Sequence, residues 1–261
     1  MTAVAIVGAG AVGQSAATAL VSAGLCDRLV VTSRTTGQAE ALADDLDDLR
    51  SACDSRVHPV PGTTNSLMGC QAVVIAVQGR FANAHRADIR MAGAVANAPV
   101  IRTLVAELHG YTGTVVMVTN PVDLMTRLFA EISGCPRVFG IGSNLDTARY
   151  RMTLARVLDV PQEAVDGHVV GEHGDAAVVC TSSTTVNGEP VQVPLTHIRN
   201  ELANRPGRIS SGIGRTRCGP AGAVLSTLRL VLGQADGARN CQLHTRADGW
   251  EFRCASRQAN P

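Results

Sequence analysis

The sequence predicts an α/β fold: a doubly wound parallel sheet, followed by a smaller mixed α+β region. Three observations predict it. Short β-branched runs alternate with helix-length stretches through the first half of the chain. A glycine-rich turn, Gly8-Ala-Gly10-Ala-Val-Gly13, joins the first run to the first helical stretch. After Gly142 the alternation gives way to short β segments and a hairpin signal.

Ala3-Val-Ala-Ile-Val7 is almost continuously apolar, as a strand buried on both faces must be. Residues 14–24 read as a helix ended by Gly24. Leu29-Val-Val-Thr32 is a second strand, and 38–49 a helix. Arg56-Val-His-Pro-Val60 is a short strand whose proline predicts an edge position. Ala72-Val-Val-Ile-Ala-Val77 is the strongest strand; a polar loop and a long helical stretch to about His109 follow it. Thr114-Val-Val-Met-Val118 and Val138-Phe139 complete the parallel set. Beyond Gly142, 145–158 is helical and 169–179 β-rich. Asn187-Gly188 is a hairpin turn between Thr184-Thr-Val186 and Pro190-Val-Gln-Val193, and 220–232 is an apolar helix with proline near its start. The expected division is a nucleotide-binding part, 1–142, and a substrate part, 143–261.

Composition narrows the function classes. A hydrophobic share of 45% and a charged share of 17% over 261 residues describe an ordinary globule. A net charge of +1 gives no electrostatic footprint for nucleic acid or an anionic membrane, so neither is expected as a partner. All 23 basic residues are arginine, which removes a Schiff-base lysine and a P-loop lysine. The 8 cysteines stand singly with no Cys-x-x-Cys, so no metal site is expected and the thiols suit a reducing cytoplasm. The apolar opening lacks a basic start and is broken by glycines, so it is read as strand and turn, not as a signal peptide.

Gly8, Gly10 and Gly13 form a G-x-G-x-x-G between a strand and a helix. The first glycine makes the tight turn, the second admits a pyrophosphate, and the third lets helix and strand approach. With Ala11 and Val12 they predict a dinucleotide at the helix N-terminus, the Rossmann arrangement. The end of the second strand indicates which one. NAD enzymes place a carboxylate there for the ribose 2′-hydroxyl, whereas this chain has Ser33 and Arg34. A hydroxyl with a guanidinium binds a 2′-phosphate, so NADP is expected, with NAD as the second choice.

Three further segments carry chemistry: Asn120-Pro-Val-Asp123, Leu145-Asp146-Thr-Ala-Arg149, and Gly171-Glu-His173-Gly-Asp175. Asp146 and Arg149 lie one turn apart on a helix face. In this order behind the glycine turn, they resemble the signature stretches of the lactate/malate dehydrogenase family, a resemblance running from Met1 to about Gly237.

The resemblance implies a nicotinamide-dependent 2-hydroxyacid dehydrogenase. His173 would be the general acid/base at the C2 oxygen, a task for a side chain that changes charge near neutral pH. Asp146 would orient the imidazole and stabilise its charged form. Arg149 would grip the C1 carboxylate. Asn120 would bond the substrate oxygen and hold the cofactor end of the pocket, beside Ala76 and Val77 on the strand before the lid. In the lid, Arg86 would polarise the substrate carbonyl on closure. Arg80, six positions earlier, is where an arginine pairs with a second carboxylate and a glutamine suits lactate. Oxaloacetate or malate is therefore the first-choice substrate. Thr216 resembles the threonine that borders the pocket. A homodimer or homotetramer is implied.

The chain departs from the family at three places. Phe81-Ala-Asn-Ala-His85 replaces the usual Pro-Gly of the lid. Gly93 stands where the family commonly has an asparagine near the cofactor. The arginine-rich stretch 241–261 loses the resemblance, and the family typically continues for several tens of residues more. These departures keep two alternatives open: a dehydrogenase for lactate or another 2-hydroxy acid, and a catalytically silent dinucleotide-binding protein.

Overall fold

The computed structural model describes residues 1–80, 89–235, 239–244 and 250–255, the side chains of 89–92 and 239–255 excepted. Strands β1 (Ala3–Val7), β2 (Arg28–Thr32), β3 (His58–Pro61), β4 (Ala72–Ile75), β5 (Thr114–Met117) and β6 (Arg137–Gly140) run parallel in the order β3-β2-β1-β4-β5-β6. The order reverses beside β1, and an open α/β sheet binds its ligand in the crevice at such a switch point. β3, with Pro59 and Pro61, lies at the sheet edge, where missing donors cost least.

Helices α1 (Ala11–Ser22), α2 (Thr36–Ala52), α3 (Thr64–Leu67), α4 (Ile89–Glu107), α5 (Val122–Ser133) and α6 (Gly142–Leu158) link and follow these strands. Period-two alternation divides the strand residues between two cores. Val4 and Ile6 of β1 face α1 and α2 with Val31, Val74 and Val116. Ala5 and Val7 face the opposite layer with Val73, Ile75, Val115 and Met117, covered by Ile101 and Leu104 of α4 and Phe129 of α5. Burial on both faces explains why these strands read as unbroken apolar runs.

Past α6 the elements are smaller. β7 (Val165–Asp166) pairs with β10 (Thr185–Val186), which pairs with β11 (Glu189–Pro190) across the expected Asn187-Gly188 turn. β8 (Val169–Gly171) and β9 (Ala177–Val179) form a separate hairpin. They share a third core with Tyr150 and Leu154 of α6 and Ile198 of α7 (Leu195–Ile213). The sequence pattern predicts no element over 195–213. Pro206 and Gly207 interrupt the helical pattern, and Ile198 is the one described α7 residue that is fully buried.

Elements beyond 143 also return to the first sheet. Ala221, Ala223, Val224 and Leu228 of α8 (Cys218–Val231) lie in the same core as β1 and α1. β12 (Arg239–His244) and β13 (Trp250–Ala255) extend the sheet antiparallel beyond β6, through Leu243 opposite Phe139. Thus the stretch that loses the family resemblance still contributes strand backbone. Among the described residues no helix is long and apolar enough to cross a membrane.

Candidate active site

The glycine turn leaves β1 and enters α1. Gly8 has φ +115°, and a side chain there would collide with the Ala76 carbonyl at the end of β4. A side chain at Gly13 would strike the Gly8 carbonyl. At Gly10, the N-cap of α1, a side chain would instead meet open space, and no side chain caps the helix. First-turn N–H groups therefore face an open cradle with no acidic residue in the first turn, which suits a diphosphate. These residues fit a dinucleotide.

At the end of β2 the fit is looser. Ser33 donates its hydroxyl to Gln38 Oε1 at 2.9 Å, and Arg34 is exposed. Thr35 caps α2 by accepting from Gln38 N–H at 3.3 Å.

The reacting end is built by α5, α6 and the β8–β9 hairpin. Asp146, on the second turn of α6, is 7% exposed and joins two groups. Its Oδ2 lies 2.7 Å from His173 Nδ1, and its Oδ1 accepts from Arg149 Nη1 at 3.3 Å. A carboxylate oxygen that accepts here takes its hydrogen bond from His173 Nδ1, which leaves Nε2 as the ring nitrogen not engaged by Asp146. Arg149 is itself 7% exposed; burial pushes its guanidinium below its ordinary range, and Asp146 opposes that shift.

The His173 loop is held from further sides. Asp123, at the start of α5, accepts the His173 backbone N–H at 2.7 Å. Burial raises the Asp123 carboxyl, while the bond from His173 and its charge pull it back down. Ser143 donates to the Gly171 carbonyl at 3.2 Å, and Thr147 bonds both main-chain groups of Val169. An imidazole fixed this tightly can exchange a proton with a substrate oxygen without first reorganising.

The other expected residues are placed less closely. Asn120 is exposed at the end of the β5 segment and precedes a cis proline, Pro121. Ala76 and Val77 lie between Gly8 and Thr119, whose hydroxyl donates to the Val77 carbonyl at 2.9 Å. Arg80 is exposed, two residues past Gln78. Thr216 is half-buried in the α7–α8 loop, beside Arg215, whose Nη1 lies 3.5 Å from Gln78 Oε1. Arg86 lies outside the described residues.

The Asn-Pro-x-Asp stretch contains Asp123 without marking a role for it, and no motif marks Asn97 of α4. The available signal for Asn97 was a single amide in an alanine-rich helical stretch. Three of the cysteines are made poor nucleophiles by burial, which pushes the Cys26 thiol up to about 12 and also raises Cys70 and Cys135. Among the described residues no cluster of metal-ligating side chains occurs.

Fold and site together define an α/β oxidoreductase-type protein with a dinucleotide cradle and an oriented histidine. The NAD binding domain of lactate/malate dehydrogenase matches residues 2–142, and the alpha/beta C-terminal domain of lactate/malate dehydrogenase matches 143–203. L-lactate dehydrogenase 2 of Lactiplantibacillus plantarum is 32% identical over 240 residues, 88% of this chain and 76% of that protein. L-lactate dehydrogenase of Lactococcus lactis subsp. cremoris is 33% identical over 192 residues, 72% of this chain and 60% of that protein. The minor L-lactate dehydrogenase from Enterococcus mundtii superposes with a TM-score of 0.87 at 28% identity, covering 97% of this chain and 84% of that one. Malate dehydrogenase of Cryptosporidium parvum shares the fold, with a TM-score of 0.84 at 24% identity, covering 97% and 85%. The chain belongs to the lactate/malate dehydrogenase family, whose members are nicotinamide-dependent oxidoreductases acting on the CH–OH group of 2-hydroxy acids.

Proposed function

We propose that this chain interconverts a 2-oxo dicarboxylic acid and its 2-hydroxy acid, oxaloacetate and malate, with NADP(H) preferred over NAD(H). The observation that carries the reading is Asp146 bridging His173 and Arg149. One buried carboxylate thereby fixes the proton donor relative to the carboxylate grip.

A bound nicotinamide supplies or accepts the hydride. Gly8, Gly10 and Gly13 would hold its diphosphate, and Ala76 and Val77 would wall its slot. Arg149 would bind the C1 carboxylate through its planar fork, and Asn120 would bond the substrate oxygen. During reduction His173 gives a proton to the C2 oxygen, and during oxidation it takes that proton back. Asp146 holds the imidazole in the tautomer this needs and offsets the charge that develops.

Arg80 supports the dicarboxylate, because a second carboxylate enclosed without a cation would be costly. NADP is supported by Ser33 with Arg34 and by the lack of a carboxylate at the end of β2. Thiols without partners in disulfides among the described residues support a reducing, cytoplasmic setting. A homodimer or homotetramer is part of the same reading. The second reading is a lactate-type enzyme, favoured by relatives named L-lactate dehydrogenase.

The test is an absorbance assay at the nicotinamide band, with NADPH or NADH against oxaloacetate, pyruvate and branched 2-oxo acids. The expected result is fastest turnover with NADPH and oxaloacetate. Preference for pyruvate selects the lactate reading, and no turnover with any acid selects a silent dinucleotide-binding protein.

A further inference from the structure

The parallel ladder between β4 and β5 ends at the pair Ile75 and Met117. Immediately past it, the Val118 and Thr119 N–H groups both reach the Ile75 carbonyl, at 2.9 and 3.3 Å. From there the ties between the two segments pass to side chains. Thr119 reaches the Val77 carbonyl through its hydroxyl. Two residues on, the tie comes from a third element, for the Asn97 side chain of α4 stands between the two segments and is 4% exposed.

Asn97 Oδ1 accepts the Gly79 N–H at 2.6 Å, and Asn97 Nδ2 donates to the Asn120 carbonyl at 2.6 Å. A carboxamide carries the same donor and acceptor as a peptide group. Placed here, it satisfies the N–H and C=O that a longer ladder would have paired, while holding them a side chain's width apart. Gly79 is located from a second direction as well, because any side chain there would collide with the Ala96 carbonyl of α4. Gly79 directly precedes Arg80.

We propose that Asn97 is a positioning residue, a spacer that sets the separation between Asn120 and the Gly79–Arg80 segment and thereby tunes which 2-oxo acid is preferred. The inference rests on Asn120 and Arg80 being the substrate contacts proposed above. Its physical basis is that removing the carboxamide orphans a buried N–H and a buried carbonyl. They must then be bridged by water or drawn together, and either outcome changes the separation. Asn97→Asp breaks one side only: a carboxylate still accepts from Gly79, but it cannot donate to the Asn120 carbonyl.

The experiment compares wild type, Asn97→Ala and Asn97→Asp by two readouts. The first is the ratio of kcat/KM for oxaloacetate to kcat/KM for pyruvate, with one nicotinamide cofactor. This ratio is unaffected by the fraction of protein that is folded, so a merely structural role would leave it unmoved. A change of roughly fivefold or more is expected in both variants. The second is hydrogen exchange at the Gly79 amide followed by NMR. Protection should fall on the order of tenfold or more in Asn97→Ala and persist in Asn97→Asp.

Equal losses on both acids, with the ratio unchanged, overturn the specificity role. A wild-type Gly79 amide that exchanges like an exposed loop overturns the spacer itself, with no variant needed. Should wild type turn over neither acid, the proposed function fails, and the exchange data alone decide the spacer. In that case equal Gly79 protection in wild type and Asn97→Ala rejects it.

Discussion

The two ends of the cofactor crevice are built on opposite principles. At the reacting end, His173, Asp146 and Arg149 are buried or nearly so, and Asp123 of α5 and Ser143 and Thr147 of α6 hold the segment that carries His173. At the ribose end, Ser33 has one side-chain bond, to Gln38, and Arg34 is exposed. Buried, mutually bonded groups suit a proton that must move along a fixed line. Where a ligand has only to be distinguished by charge, exposed side chains at a strand end suffice. Substitutions at the first end should therefore be severe, and at the second modest and redirectable.

The largest effect is expected at Asp146. Asp146→Asn keeps the shape but removes the charge and replaces one accepting oxygen with a donating amide, so the imidazole tautomer is no longer fixed, and turnover should fall by about 10²–10⁴-fold. Cofactor affinity, measured by fluorescence titration, should stay close to wild type. Near-normal turnover would show that the Asp146–His173 contact is structural only.

Arg80 tests the middle ground, an exposed residue assigned to substrate. Arg80→Gln should cost on the order of a hundredfold in kcat/KM for oxaloacetate while sparing pyruvate. If both acids lose equally, Arg80 is not what distinguishes them.

At the ribose end, the double change Ser33→Asp with Arg34→Ile should move preference toward NADH by roughly ten- to a hundredfold in kcat/KM. Protein that already uses NADH as well as NADPH before the change would remove the 2′-phosphate reading.

The smallest effect concerns stability. Burial raises the folded-state carboxyl of Asp123, so ionised Asp123 lowers stability above that folded value, and the penalty disappears as pH falls below the unfolded value. Asp123→Asn keeps an acceptor for the His173 N–H without the charge. It should therefore raise Tm near neutral pH by on the order of 2 °C, with the gain shrinking as the medium is acidified through the carboxylate range. A gain that grows on acidification would reverse the sign of this argument.

How legible the molecule was in its sequence follows the same division. The central parallel strands were readable because burial on both faces makes them continuous apolar runs, as in Ala72-Val-Val-Ile75. Pro59 marked β3 as an edge for lack of a donor. Helix α7 was not readable, since Pro206 and Gly207 contradict local helix propensity and tertiary contact at Ile198 overrides them. The His173 group was legible through its short motifs, but Asn97 was not. Its importance lies in two main-chain partners, Gly79 and Asn120, at sequence distances of 18 and 23 residues, which no local pattern records. Likewise Asp123 was visible as a motif letter, while its actual partner, the His173 backbone, appears only in three dimensions.

The central claim is that His173 moves the proton while another group moves the hydride. Single-turnover mixing tests it most directly: wild type and His173→Ala, each saturated with NADPH, are mixed with oxaloacetate and followed at the nicotinamide absorbance. NADPH binding should be alike in both proteins, because the role proposed for the histidine is toward the substrate. Wild type should show rapid loss of absorbance, and His173→Ala a rate lower by about 10²–10⁴-fold. Comparable rates in the two proteins would contradict the account.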